Sequence, residues 1–272
     1  MKTLYVSDLD GTLLRSDETT SAYTNAVINR LTRQGMIFSY ATARSLVTSK
    51  KVTKGLNAEI PVIVYNGAFV MDNVTGHILL SNYFEETVDE VFEELFQNQV
   101  YPIVYSYIHG AEKFSFIEKA STKGMLAFLR TRKGDRRERP VQTTDALIEG
   151  DCFYITCIGQ PEKLRPLYEK YKERFHCVYQ KDIYINEQML EIMPCAASKA
   201  NAVLQLKEML GCDRAVAFGD GKNDLDLFEA ADEGYAVENA VDELKAIASG
   251  VIGSNQDDGV AKWLERNFMG ES

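Results

Sequence analysis

The chain predicts an α/β fold: a parallel-sheet core interrupted by an inserted α+β segment. Three observations predict it. The first eighty residues alternate short apolar strands with amphipathic helices, the signature of βαβ units. From about residue 83 the strands become rich in aromatic residues, and the segment reads as an α+β layer of its own. After Pro194 the first texture returns and adds another buried strand. Residues 1–82 and 194–272 therefore form a discontinuous α/β core, and residues 83–193 form the insertion. A chain of 272 residues is long enough for two such domains.

Each element follows from the local pattern. LYVS (4–7) is a short buried strand. Across 19–34, Ala22, Ala26, Val27 and Leu31 recur at helical spacing, and Gly35 stops the helix. MIFSYAT (36–42) is a second strand, followed by a helix over 45–54. PVIVYNG (61–67) is a third strand, and AFVMDNVTGHILLS turns as a hairpin around 73–76. In the insertion, 85–99 is an acidic amphipathic helix, and IVYSYIHG and KFSFIE are adjacent antiparallel strands. Their alternating Tyr105, Tyr107, Phe114 and Phe116 form a sheet face expected to pack on the insertion's own helices. A helix over 121–132, the strand CFYITCIG, a proline-initiated helix over 161–174 and the short strands CVYQ, YIN and QMLEIMP complete it. The core resumes with a helix over 198–210, the strand AVAFGD (215–220), a helix over 224–230, the strand YAVE, and helices over 241–248 and 258–268.

A net charge of −10 argues against long-range attraction to nucleic acid or anionic membranes. It leaves anionic substrates open, because a local cation can reverse the field inside one cleft. Cys152, Cys157, Cys177, Cys195 and Cys212 contain no CxxC pair and read as reduced thiols, with Cys195 structural. His77, His109 and His176 are scattered. The N-terminus lacks the apolar run of a signal peptide, and no uncharged apolar stretch approaches the roughly 18 residues of a membrane span. The expectation is a soluble, cytoplasmic protein without nucleic-acid or membrane partners.

Three predicted strands end in polar groups that suit a common chemistry, in the stretches SDLDGT, ATAR and GDGKND. Ligands of α/β sheets gather at the carboxyl ends of the strands. Asp8 and Asp10 stand two apart, so an extended backbone projects both to the same side. Asp220 ends a strand able to lie beside the first. Converging carboxylates repel unless a cation joins them, and oxygen-only ligation points to Mg²⁺.

DLDGTLL, the threonine ending the second strand, a downstream lysine and GDGKND together resemble the haloacid dehalogenase superfamily of phosphohydrolases. The long insertion and YNGA (65–68) are similar to its Cof-type branch, and the ordered motifs span essentially the whole chain. The resemblance implies a Rossmann-like core with a large α/β cap that closes over the cleft, hinged near Tyr83 and Pro194. It implies hydrolysis of small phosphorylated metabolites, sugar phosphates by default, through an aspartyl-phosphate on Asp8. Asp10 would be general acid and then base. Mg²⁺ would be held by the Asp8 and Asp220 carboxylates and the Asp10 backbone carbonyl. Thr42, the amides of Leu9 and Ala43, Lys199 and Asn223 would bind the phosphoryl group, and Asp224 would orient the metal's surroundings. Gly11 permits the sharp departure from the strand end. Two positions depart from the family pattern: Ala43 and Ala200 stand where glycine is usual, each adding one methyl and removing no reacting group.

Blander readings stand beside these. Asp8, Thr42 or Lys199 taken singly reads as a turn, cap or surface residue; only the set carries chemistry. Asp226 and Asp232 read as caps and surface, Asp17 as loop. Arg44 is either a substrate contact or a helix start, and the run from Arg130 to Arg139 either a second anion site or a solvated loop. The same residues also suit a sugar phosphomutase or phosphotransferase, or a phosphate-sensing receiver-like module.

Overall fold

The computed structural model describes residues 1–56, 59–84, 88–181 and 186–268. The chain forms two compact units, Met1–Ser81 with Ala197–Ser272, and Asn82–Ala196. In chain order the first unit begins with β1 (Thr3–Asp8), α1 (Ala22–Arg33), β2 (Ile37–Ala41), α2 (Leu46–Val52), β3 (Pro61–Val64), β4 (Phe69–Asp72) and β5 (Ile78–Ser81). The second contains α3 (Asp89–Gln97), β6 (Ile103–Ile108), β7 (Ala111–Phe116), α4 (Lys123–Arg130), β8 (Glu138–Pro140), α5 (Thr144–Leu147), β9 (Asp151–Gly159), α6 (Pro161–Tyr171), β10 (His176–Lys181) and β11 (Gln188–Met193). The first unit is completed by α7 (Lys199–Met209), β12 (Arg214–Gly219), α8 (Leu225–Ala230), β13 (Glu233–Val237), α9 (Asp242–Ile247), β14 (Gly250–Ile252) and α10 (Gly259–Asn267).

The first unit carries an eight-stranded sheet in the order β14-β13-β12-β1-β2-β3-β4-β5. Six strands run parallel and the β3-β4-β5 meander is antiparallel, as the predicted hairpin requires. Strands β1, β2 and β12 read as nearly continuous apolar runs because helices cover both faces of a parallel sheet. The helices start where serine supplies a side-chain acceptor: Ser21 for α1, Ser45 for α2 and Ser198 for α7. Register sets the site. Ser7 pairs with Phe218 on one side of β1, and Asp8 pairs with Ala41 on the other. The polar residues just beyond Asp8, Ala41 and Gly219 are thus brought to one edge of the sheet.

The second unit carries a six-stranded sheet in the order β10-β11-β9-β6-β7-β8, antiparallel except for the β7–β8 pair. Val91, Phe92 and Leu95 of α3 and Leu164, Leu167 and Tyr171 of α6 bury against Val104, Ile155, Leu190 and Ile192. Tyr105, Phe114 and Phe116 lie outside that cluster. They pack first on aromatic neighbours: Tyr105 pairs across the strands with Phe114 and meets Phe153 and Tyr154, and Tyr107 meets Phe153.

Three short elements escape the sequence pattern, namely β8, α5 and β14, of three, four and three residues. The helix expected over 85–99 is α3, with 85–87 outside the described residues, as are Tyr184 and Ile185 of the expected strand YIN. The Arg130–Arg139 run is only partly a solvated loop: Arg130, Lys133 and Arg136 are exposed, whereas Arg132, Arg137 and Arg139 are engaged. Arg137 is buried and holds Glu112 at 2.5 Å and Asp135 at 2.6 Å, while Arg139 bonds Ser115, the Ala146 carbonyl and Glu149. Arg132 lies over the Phe128 ring at 3.4 Å. Arg137 and Arg139 thus have their charges matched by carboxylates of the same unit. No helix among the described residues is long and apolar enough to cross a membrane.

Candidate active site

Every member of the site belongs to the first unit. Asp8 is the last residue of β1, and its carboxylate is buried. Lys199, the first residue of α7, reaches it from the far half of the chain: Nζ donates to Asp8 Oδ1 at 2.6 Å and to Asp224 Oδ1 at 2.7 Å. The Lys199 side chain is 2% exposed and that of Asp224 is 0% exposed, so this pairing is as dry as the core. The other Asp224 oxygen accepts the backbone amides of Asp220 and Gly221, both at 3.1 Å. Asp224 is thus engaged in holding the loop after β12 and in locating Lys199. Asp220 takes a hydrogen bond from Thr12 Oγ1 at 3.0 Å. Carboxylate oxygens of Asp8, Asp220 and Asp224 all lie within 4.8 Å of one another.

The electrostatics follow from burial. Desolvation raises the Asp8 pKa well above the usual carboxylate range. Lys199 opposes that rise, and Asp224, Asp220 and Asp10 add to it. Asp220 is pushed up to about 6 by burial and by Asp224, against the Thr12 hydrogen bond and Lys199. Burial alone would lower Lys199, yet the charges of Asp224 and Asp8 outweigh it and hold the ammonium firmly protonated. Three carboxylates face one ammonium, which leaves two negative charges in a low-dielectric pocket with an all-oxygen donor set. A hard divalent cation fits that deficit in both charge and ligand type.

The strand ends at Asp8, and within Leu9–Leu13 Asp10 has φ −73°, ψ 117° and Gly11 has φ +81°, so the run from Asp8 past Asp10 is not one continuous extended strand. The Asp8 side chain meets Lys199, whereas Asp10 meets Arg44 through two hydrogen bonds, Nε to Oδ2 at 2.8 Å and Nη2 to Oδ1 at 2.5 Å. Gly11 is obligatory: a Cβ there would stand 2.7 Å from Asp220 Cγ, on a backbone that side-chain-bearing residues rarely adopt. Thr42 is buried just past β2, and its hydroxyl oxygen accepts the Arg44 amide at 3.1 Å, so its hydrogen remains for another acceptor. Leu9 and Ala43 follow Asp8 and Thr42 directly, and Asn223 sits half-buried in the turn Lys222–Asp224.

Two further features position the site, and the first is the YNGA stretch, which the sequence marks without showing its conformation. Tyr65, Asn66 and Gly67 are consecutive left-handed residues, with φ of 52°, 51° and 97°. Their turn donates amides to the carbonyls of Arg44 and Thr42 at 3.0 and 2.9 Å. A Cβ on Gly67 would overlap the backbone of Ser198, so glycine lets the start of α7 and Lys199 sit close. The second feature is a pair of asparagines. Asn239 donates to the Gly11 carbonyl at 2.8 Å and accepts the Asn255 amide at 3.0 Å, and Asn255 donates to the Leu14 carbonyl at 2.9 Å. Together they tie down the turn bearing Asp10. Asp17, Asp226 and Asp232 serve local backbone amides, and Cys195 is exposed.

The family model for haloacid dehalogenase-like hydrolases matches residues 5–264. The chain belongs to the haloacid dehalogenase-like hydrolase family. The resemblance read in its motifs is thereby borne out, as is its α/β fold class. Among relatives of this haloacid dehalogenase-like hydrolase, the Bacillus subtilis 5-amino-6-(5-phospho-D-ribitylamino)uracil phosphatase YwtE is 26% identical, with 97% of each chain covered. The B. subtilis phosphatase of the same name designated YitU is 27% identical, again with 97% of each covered. The crystal structure of TM0651 from Thermotoga maritima superposes with a TM-score of 0.79 at 28% identity, covering 99% of this chain and 98% of that one.

Proposed function

We propose that this haloacid dehalogenase-like phosphatase hydrolyses small phosphate monoesters with Mg²⁺, through a phosphoryl group carried transiently on Asp8. The observation that carries the reading is the buried Asp8–Lys199–Asp224 cluster beside Asp220: a strand-end carboxylate located by a dry ammonium, with two negative charges unmatched. Asp8 and Asp220 through their carboxylates, and Asp10 through its backbone carbonyl, would hold the ion. Bound there, the ion supplies the positive charge that lets a carboxylate approach a phosphate dianion.

The chain's own groups do the rest. Lys199 fixes one Asp8 oxygen and leaves the other to attack phosphorus. The free hydrogen of Thr42, the amides of Leu9 and Ala43, the Lys199 charge and Asn223 receive the phosphoryl oxygens. Asp10 gives its proton to the leaving alkoxide and then takes one from the water that attacks phospho-Asp8. Arg44, engaged by Asp10 and Glu18, is read as serving the site rather than the phosphate. Residues 83–193 would form the cap that selects the substrate.

Because two relatives are named for 5-amino-6-(5-phospho-D-ribitylamino)uracil, that sugar-alcohol phosphate belongs in the first assay beside ordinary sugar phosphates. Phosphate release is measured over such a panel with Mg²⁺ and with EDTA, using Asp8→Asn as the blank. Turnover that survives intact in Asp8→Asn removes Asp8 as the nucleophile. Turnover indifferent to EDTA removes the metal. Transfer of phosphate to a second sugar would instead favour a phosphotransferase.

A further inference from the structure

We propose that Glu18 is a positioning residue that acts through Arg44 to set the carboxyl group of Asp10, protonated for this step, for proton transfer to the leaving group. This rests on the reading of Asp10 as the proton donor. Arg44 Nη2 has two hydrogens, and the structure uses both: one goes to Asp10 Oδ1 at 2.5 Å and the other to Glu18 Oε2 at 2.9 Å. Nε supplies the second bond to Asp10, at 2.8 Å. The guanidinium plane is thereby fixed by carboxylates on two sides. Without Glu18, the long Arg44 side chain loses one of these anchors, and the Asp10 rotamer loses a restraint with it.

The backbone at Glu18 adds an independent observation. Glu18 has φ +58°, the left-handed conformation that favours glycine or asparagine. It is held there by a closed turn in which its amide donates to the Arg15 carbonyl and the Arg15 amide donates to the Thr19 carbonyl, both at 3.0 Å. That turn is anchored in its own right, because Arg15 pairs with Asp258 at 2.5 Å. A costly residue on a rigid turn, with its side chain on the partner of Asp10, is the arrangement expected of strain kept for a purpose. The Glu18 side chain is 43% exposed, so its ion pair contributes little to stability, which separates positioning from folding.

In the step concerned, an Asp8 oxygen forms a bond to phosphorus while the bond from phosphorus to the ester oxygen breaks. The electron pair left on that oxygen takes the proton from Asp10, releasing the neutral alcohol and an Asp10 carboxylate. An alkyl ester needs this proton, because its alkoxide is a poor leaving group; a nitrophenyl ester hardly does. The test compares kcat/KM for a sugar phosphate and for p-nitrophenyl phosphate in wild type, Glu18→Gln, Glu18→Gly and Asp10→Asn. Both Glu18 variants should lose about tenfold on the sugar phosphate and less than about twofold on the nitrophenyl ester, in kcat rather than KM. Glu18→Gly should melt at or above the wild-type temperature, since it relieves the strained backbone. Equal losses on both esters, or none, overturn the role of Glu18 if Asp10→Asn remains selective for the sugar ester. An Asp10→Asn variant equally impaired on both esters removes Asp10 as the donor, and this proposal with it.

Discussion

Replacing Lys199 with methionine removes a single charge from a buried position in the first unit. The wild-type ammonium makes two charge-assisted hydrogen bonds, at 2.6 and 2.7 Å, and the three side chains concerned are 2%, 7% and 0% exposed. Methionine fills much of the volume, so the loss is electrostatic: Asp8 and Asp224 remain buried without their shared cation. Breaking a buried pair from one side costs about 3–5 kcal/mol. In a unit of this size each kcal/mol lowers the melting temperature by about 2–4 °C, so the variant should melt about 6–20 °C lower in EDTA. Lys207 provides the control. It pairs with Asp232 at 3.0 Å, but the side chains are 23% and 44% exposed, and Lys207→Met should cost about 0–1 kcal/mol. Differential scanning calorimetry of both variants measures the contrast. Saturating Mg²⁺ should restore part of the Lys199→Met loss, because a divalent cation returns positive charge to the same carboxylates. The reasoning fails if the two lysine variants melt within about 1 °C of each other in EDTA.

Other expectations follow from the same geometry. Gly11→Ala places a methyl 2.7 Å from Asp220 Cγ on a backbone of φ +81°, so it should cost about 1–3 kcal/mol and abolish phosphate release; calorimetry and a steady-state assay read the two effects. Asp258 has its carboxyl held below the usual range: burial would raise it, but hydrogen bonds from Arg15, Ser21 and Thr24 prevail. A lowered folded pKa means stability present above the unfolded value, about 3.9, and lost as pH falls through the folded one. The melting temperature of Asp258→Asn should therefore fall less steeply than wild type between pH 5 and pH 2, and identical slopes would count against the pairing. Arg137→Met should destabilise the second unit by about 3 kcal/mol, since Glu112 and Asp135 lose a common buried partner; urea unfolding followed by a probe in that unit measures it.

What could be read in advance was whatever the strands end on. Asp8, Thr42 and Asp220 follow apolar runs that can only be buried strands, and parallel pairing brings such ends to one edge. Lys199 was legible as a member of the set only through the family resemblance; Ser198 marked no more than the start of its helix. The pairing of Asp10 with Arg44 was not legible, because the two stand 34 residues apart in the chain. Arg44 stayed ambiguous for a similar reason: only folding shows that Asp10 and Glu18 both claim it. Arg137 sits in a basic run that ordinarily belongs to solvent, and nothing local shows that Glu112 waits across the sheet. Asn239 and Asn255 are single loop residues that form a clamp only once two distant loops meet.

The placement of β1 between β2 and β12 has a consequence for how the protein is born. As the chain leaves the ribosome, β2 is available to β1 within some forty residues, but Phe218, the partner of Ser7, emerges only after the whole of the second unit. Through most of synthesis β1 is therefore an unfinished edge, apolar and with open hydrogen-bonding groups, the kind of surface that chaperones hold and that strays into aggregates. The second unit, contiguous from Asn82 to Ala196 and possessing its own sheet and core, can complete itself during that wait. The edge on which Asp8 and Asp220 meet thus cannot exist until β12 has emerged, and a nascent chain stalled before residue 214 should be inert however well its other parts have folded.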